Sequence, residues 1–206
     1  MSPTPQLPAG LVAFVKRECP TCTMVAPVLA RLAKETALTV VSQDDPQFPS
    51  GTKIVDDRSL ELSWHHAIDA VPTLLRIENG AVTGKAIGWN RGEWESVTGL
   101  RGLGPELPEN RPGCGSLSVD PDRQADLLVR FGGSKLRSRR VEVAALEDEH
   151  EALYARGWTD GLPVVPPTER RVMAMLEGTT RKPDEIVAVV PPDLVECSVE
   201  KVAVNA

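Results

Sequence analysis

Aromatic side chains are scarce in this 206-residue chain: four tryptophans, three phenylalanines and one tyrosine. Residues 120–206 hold one of each, Phe131, Tyr154 and Trp158, so the second half has little bulk from which to build its own core. Cysteine is sparse too. Four in the chain are too few for a disulfide scaffold. No apolar run approaches the ~18 residues of a membrane span. The first, Leu11–Val15, stops at Lys16 with no basic segment before it, which does not read as a signal peptide. The expectation is a cytoplasmic protein with no membrane partner. Basic residues are outnumbered, 23 to 29, for a net charge of -6, which argues against general nucleic-acid binding. Proline and glycine, at 18 and 16, are plentiful.

Residues 10–100 have the texture of an α/β unit. Leu11–Val15 and Leu38–Val41 read as buried strands. Between them Met24, Val25, Val28, Leu29, Leu32 and Ala33 recur at helical spacing, and Pro27 should kink that helix rather than end it. Residues 46–57, with two prolines, a glycine and two aspartates, read as loop, and 60–68 as a short helix. Pro72–Ile77 and Ala81–Ile87 flank Asn79-Gly80, a hairpin signal. Gly92–Val97 completes the order βαβαββα.

Residues 101–121, with four glycines and four prolines, read as a linker between a domain at 8–100 and a mixed, mainly helical region at 122–206. Helices are expected at Asp122–Phe131, at Leu146–Arg156 and from a Thr168 cap to Glu177, with Gly132-Gly133 as a break and a short strand at Ile186–Val190. Ser198 opens another helical pattern that stops at Ala206 without a C-cap. The chain is therefore expected to be a fragment, its second half the incomplete start of a second domain.

Cys19-Pro20-Thr21-Cys22 follows a strand and opens a helix. Free N–H groups and the helix dipole at such a start favour an anion. A thiolate at Cys19 is lowered in pKa there and becomes the nucleophile. Cys22, one turn on, is placed to resolve a mixed disulfide. Pro20 at the first helical position loses no hydrogen bond that the helix needs. Lys16 and Arg17 favour the thiolate and Glu18 opposes it. The competing reading is half of a zinc site, which requires a second ligand pair. Only scattered candidates such as Cys114, Cys197, His65 and His66 remain, so no metal site and no cofactor are expected.

The CPTC strand-to-helix junction, followed by Val71-Pro72-Thr73, a strand, Asn79-Gly80 and another strand, resembles the thioredoxin-like superfamily over residues 11–100. The resemblance implies that Pro72 is a cis-proline facing the dithiol. It also implies that Val71, Pro72 and Thr73 bind substrate, with Val71 pairing its backbone to a client peptide. The pattern departs from thioredoxins proper in two places. Glu18 stands where they have tryptophan, and Ala13 where they have a buried aspartate. Without that acid, Cys22 depends on water or another group for activation. The layout is the minimal one, nearer to glutaredoxins, although no glutathione-binding pattern is convincing.

The remaining candidates are weaker. Cys114, between glycines in the linker, is a candidate redox relay, against the reading of a tight turn. Cys197 reads as a bystander. His65 and His66 are adjacent, do not share a helix face, and read as solvated. The Lys135–Arg140 patch reads as a solvated surface or as paired with Glu147, Asp148, Glu149 and Glu151. The Trp158–Thr168 segment reads as an ordered loop, and residues 145–206 resemble part of larger uncharacterised bacterial proteins with a thioredoxin-like head. The expected activity is thiol-disulfide exchange on a disulfide-containing protein or small thiol, with a reductase or low-molecular-weight thiol as electron donor. The alternatives are a dedicated redox or non-catalytic head serving its own C-terminal domain, and a metal or metalloid carrier using the dithiol.

Overall fold

Strand β1 (Gly10–Val15) is apolar from Leu11 to Val15, and those side chains are buried; its backbone is paired along both edges. In the computed structural model, which describes residues 4–132, 136–144 and 147–206, β1 runs parallel to β2 (Leu38–Ser42) and antiparallel to a strand formed by Thr73–Glu78. Gly133, Lys135 and Leu146, which enter the expectations above, lie outside the described residues.

Between β1 and β2 runs helix α1 (Pro20–Glu35). Its Thr21, Cys22, Val25, Val28, Leu29 and Leu32 form one buried face, the i, i+3, i+4 stripe of an amphipathic helix. The helix continues through Pro27. β3 (Lys53–Asp56) pairs parallel with β2 at the edge of the sheet. This corrects the loop expected over 46–57. The strand has only two apolar residues, both half-buried, so its order comes from backbone pairing and leaves no apolar alternation to read. α2 (Glu61–His65), β4 (Ala70–Val71), β5 (Thr73–Glu78) and β6 (Ala81–Ile87) follow. The five-stranded mixed sheet has the order β3-β2-β1-β5-β6. After it come β7 (Trp89–Asn90) and α3 (Arg91–Thr98), capped by the Asn90 side chain and ended at Gly99 in the left-handed region. Trp89 and Trp94 stack edge-on at 5.1 Å in the core, so the few aromatics of this half are concentrated inside it.

Residues 101–121 are ordered. β8 (Asn110–Arg111) pairs with β7 and β9 (Cys114–Gly115) pairs with β4. Leu103, Ser116 and Ser118 are buried. A 3-10 turn (Leu117–Val119) leads into α4 (Pro121–Phe131), capped by Asp120. The chain divides into two compact units after this helix, Met1–Gly132 and Gly133–Ala206.

The second unit holds α5 (Glu149–Ala155), α6 (Glu169–Glu177), the hairpin β10 (Ile186–Val190) with β11 (Val195–Ser198), and α7 (Val199–Asn205). Thr168 caps α6 and Ser198 caps α7 through their hydroxyls. The unit is therefore mixed rather than mainly helical. Its buried apolar residues, such as Ala152, Val172 and Val199, are small, in keeping with the shortage of aromatics. Arg140 pairs with Glu169, and the Glu200 carboxylate accepts from the amides of Arg137 and Ser138. Arg139 and Arg156 lie over the half-exposed Trp158 ring.

Leu29 is fully buried on the inward face of α1. Leu29→Ala should cost ~2–5 kcal/mol. Val82→Thr, at a position 51% exposed on β6, should fall within ~0.5 kcal/mol of the parent. Urea unfolding of the two variants checks both values.

Candidate active site

The turn between β1 and α1 is fixed from outside. Asp44 accepts from the amides of Arg17 and Glu18 at 2.7 and 3.0 Å, and the Arg17 guanidinium pairs with Asp45 at 2.7 Å. Cys19 is thereby left as the N-cap of α1, in extended conformation, with Pro20 beginning the helix. Its sulfur accepts from the Cys22 amide at 3.4 Å, taking the place of the oxygen an N-cap side chain usually supplies. Both cysteines are fully buried and neither is in a disulfide.

Two further segments close on Cys19. The Val71–Pro72 peptide is cis, and the Val71 carbonyl oxygen lies 3.5 Å from Cys19 Sγ. The Thr73 hydroxyl donates to the Ala70 carbonyl at 2.7 Å and holds the bend between β4 and β5. The other segment carries Cys114. In the antiparallel β4–β9 pair Val71 stands opposite Cys114 and Ala70 opposite Gly115. Cys114 Sγ lies 2.8 Å from Cys19 Sγ, well beyond the ~2.05 Å of a disulfide. Lys16 Nζ donates to the Gly115 carbonyl and Thr21 Oγ1 to the Pro112 carbonyl, each at 2.8 Å. Lys16 and Arg17, expected to support the thiolate, thus have other partners.

A buried polar chain anchors this segment. The Gln43 amide nitrogen donates to Ser63 Oγ and Ser116 Oγ at 2.7 and 2.6 Å, and its oxygen accepts from the Leu117 amide at 3.0 Å. Ser63 Oγ donates onward to Asp57, and Ser118 Oγ to the Ile68 carbonyl. Because the Ser118 proton is committed to Ile68, Ser116 is the donor in the 2.7 Å contact between the two hydroxyls. Every polar atom of the Gln43 amide has a partner, as buried amides require. Burial pushes the Asp57 carboxyl up, against the pull of its hydrogen bonds from Ser63 and Leu62.

The three thiols differ sharply in proton affinity. The hydrogen bond from the Cys22 thiol holds Cys19 down at about 5, against the opposite push of burial, with further help from Cys114 and the amides of Cys22 and Thr21. Burial, and then the hydrogen bond to Cys19, push Cys22 far up. Burial and the neighbouring Cys19 sulfur also push Cys114 up. At neutral pH one thiolate therefore sits between two protonated thiols.

Of the residues picked out from the sequence, Cys19, Cys22, Val71, Pro72, Thr73 and Cys114 all fall in or beside this cluster, while Cys197 lies on β11 in the second unit. His66 bonds the Pro5 carbonyl and His65 packs on Phe131, so neither is simply solvated. Among the described residues no group of three or more His, Cys, Asp or Glu side chains is placed to hold a metal ion, and no helix is long and apolar enough to cross a membrane. The sequence reading missed Gln43, Ser63, Ser116 and Ser118. A glutamine and serines dispersed along a chain give no local signal. Comparison with models of known protein families and with curated proteins finds no match to this chain.

Folding lowers the Cys19 pKa from 9.0 to about 5. Between those values the unfolded state holds a proton at this sulfur that the folded state lacks, so the contribution of Cys19 to stability rises with pH and is lost as pH falls through about 5. Cys22 and Cys114 are shifted upward and change stability only above the ordinary thiol range. Urea unfolding should show the wild type gaining on Cys19→Ser from mildly acidic to mildly alkaline pH. A difference that does not vary with pH would contradict the thiolate assignment.

Proposed function

We propose that the first unit is a thioredoxin-like domain and that the protein is a thiol-disulfide oxidoreductase with Cys19 as nucleophile. One observation carries this reading: the Cys19 sulfur caps α1, accepting from the Cys22 amide, beside a second thiol one turn along. A helix N-terminus with a donor thiol is the environment that makes a cysteine reactive near neutral pH. The cis peptide before Pro72, with the Val71 carbonyl turned toward Cys19, supports the family assignment.

The exchange balances as follows. The Cys19 thiolate attacks one sulfur of a client disulfide. The client S–S bond breaks and one client thiolate leaves. Cys22 then attacks the Cys19 sulfur of the mixed disulfide, forming Cys19–Cys22 and expelling the second client thiolate, which takes the Cys22 proton. The client is reduced by two electrons and the dithiol oxidised by two. A reductase or low-molecular-weight thiol returns it to the reduced form. With Ala13 in place of an internal acid, the departing thiolate is the proton acceptor that this scheme supplies to Cys22.

A second reading is a module dedicated to clients within its own chain, working through Cys114. It is favoured by the pairing of Val71 with Cys114. Reduction of insulin by dithiothreitol separates the two readings, because a dedicated module is nearly inert on that client. On the leading reading the protein accelerates insulin reduction and Cys19→Ser lowers the rate to that of dithiothreitol alone. Equal rates for wild type and variant would end it.

A further inference from the structure

The backbone edge at Val71, where a client chain would pair, is already taken. Its partner is Cys114, a cysteine of this same chain, and that sulfur is the one 2.8 Å from Cys19 Sγ. We propose that Asn110–Ser116 is a tethered client, and that Cys114 forms a disulfide with Cys19 in the working cycle. The inference rests on the reading of Cys19 as an exchange nucleophile.

Close passage of three backbones shows that the segment is built for this position. A Cβ on Gly113 would stand 2.7 Å from the Val71 carbonyl oxygen. A Cβ on Gly88, whose φ is +70°, would stand 2.8 Å from the Gly113 nitrogen. Only glycine at both positions lets the segment lie against Val71. Side chains of the CPTC region then grip it from the other side, Thr21 at Pro112 and Lys16 at Gly115. Beyond Gly115 the buried Gln43–Ser116–Ser118 chain fixes its end. Cysteine is the residue in this segment that faces Cys19, and it is less buried than Cys22.

The step balances without an external oxidant once a client disulfide has oxidised the dithiol. Cys114, as thiolate, attacks Cys19 Sγ of the Cys19–Cys22 disulfide. That S–S bond breaks and the Cys19–Cys114 bond forms. Cys22 leaves as thiolate and takes the proton that Cys114 gave up. An external peptide client must displace the segment before it can pair with Val71, so Cys114 and the peptide compete for one edge.

Cys22→Ser isolates formation of the Cys19–Cys114 bond, with a glutathione adduct on Cys19 standing in for the Cys19–Cys22 disulfide. Oxidised glutathione at one equivalent should give transient glutathionylation, followed by loss of glutathione and accumulation of a Cys19–Cys114 cross-link in non-reducing peptide maps. A glutathione adduct that persists on Cys19 with Cys114 free would overturn the tethered-client proposal and leave the nucleophile reading standing. Cys19 and Cys114 both unmodified would contradict the two together. Gly113→Ala, in a wild-type dithiol background, lifts the segment from Val71. It should lower the Cys19–Cys114 cross-link yield several-fold and lower the KM for a disulfide-linked peptide several-fold. A variant unchanged in both, with an unchanged circular dichroism spectrum, would overturn the occupied-edge assignment.

Discussion

The hydrogen bond from the Cys22 amide to the Cys19 sulfur, at the first turn of α1, is the constraint on which the site depends. It exists because β1 ends at Val15 and Arg17 and Glu18 are held by Asp44 and Asp45, so that the chain meets the helix with a sulfur in the capping position. The same turn puts Cys22 on the buried face of α1, where burial holds its proton and lets it donate to Cys19. One local arrangement thus sets both ends of the proposed exchange, a stabilised thiolate and a protonated thiol beside it. The electrostatics come from sulfur and backbone rather than from neighbouring cations. Lys16 is turned to Gly115 and Arg17 to Asp45.

Around that centre the chain supplies its own occupant. β4 has only two residues, and both pair with β9. A strand edge this short would gain little from pairing alone. Its partner is secured instead by side-chain contacts and by the buried Gln43 amide. Polar chains of this kind are stabilising when every member is satisfied and costly when one is removed. The Gln43–Ser63–Asp57 and Gln43–Ser116–Ser118 arms therefore join the sheet, α2 and the Cys114 segment into one unit, and fix the distance between Cys114 and Cys19 without a covalent bond.

The sequence made β1, α1, β2, β5 and β6 legible, because each carries an apolar run or a 3.6-residue stripe that burial demands. The caps of α6 and α7 at Thr168 and Ser198 were equally readable, since a hydroxyl before a helical pattern has few other uses. β3 was not, because Lys53–Asp56 owes its place to backbone pairing. The 101–121 stretch reads as linker by composition and is ordered by contacts with residues far away in the chain. Its Gly113 signals close packing only once Val71 and Gly88 are known to lie beside it. Cys19, Cys22 and Pro72 could be picked out by spacing. Cys114 could be picked out only as a residue type, and its position opposite Val71 belongs to the tertiary fold.

Selective carbon-13 labelling at cysteine Cβ, followed by NMR of the reduced protein across the pH range, observes each sulfur's charge directly and without a reagent having to reach a buried group. The Cys19 resonance should titrate with a midpoint of about 5, while Cys22 and Cys114 remain thiols through neutrality. Titration of Cys19 at the ordinary thiol value of 9.0, together with the other two, would contradict it.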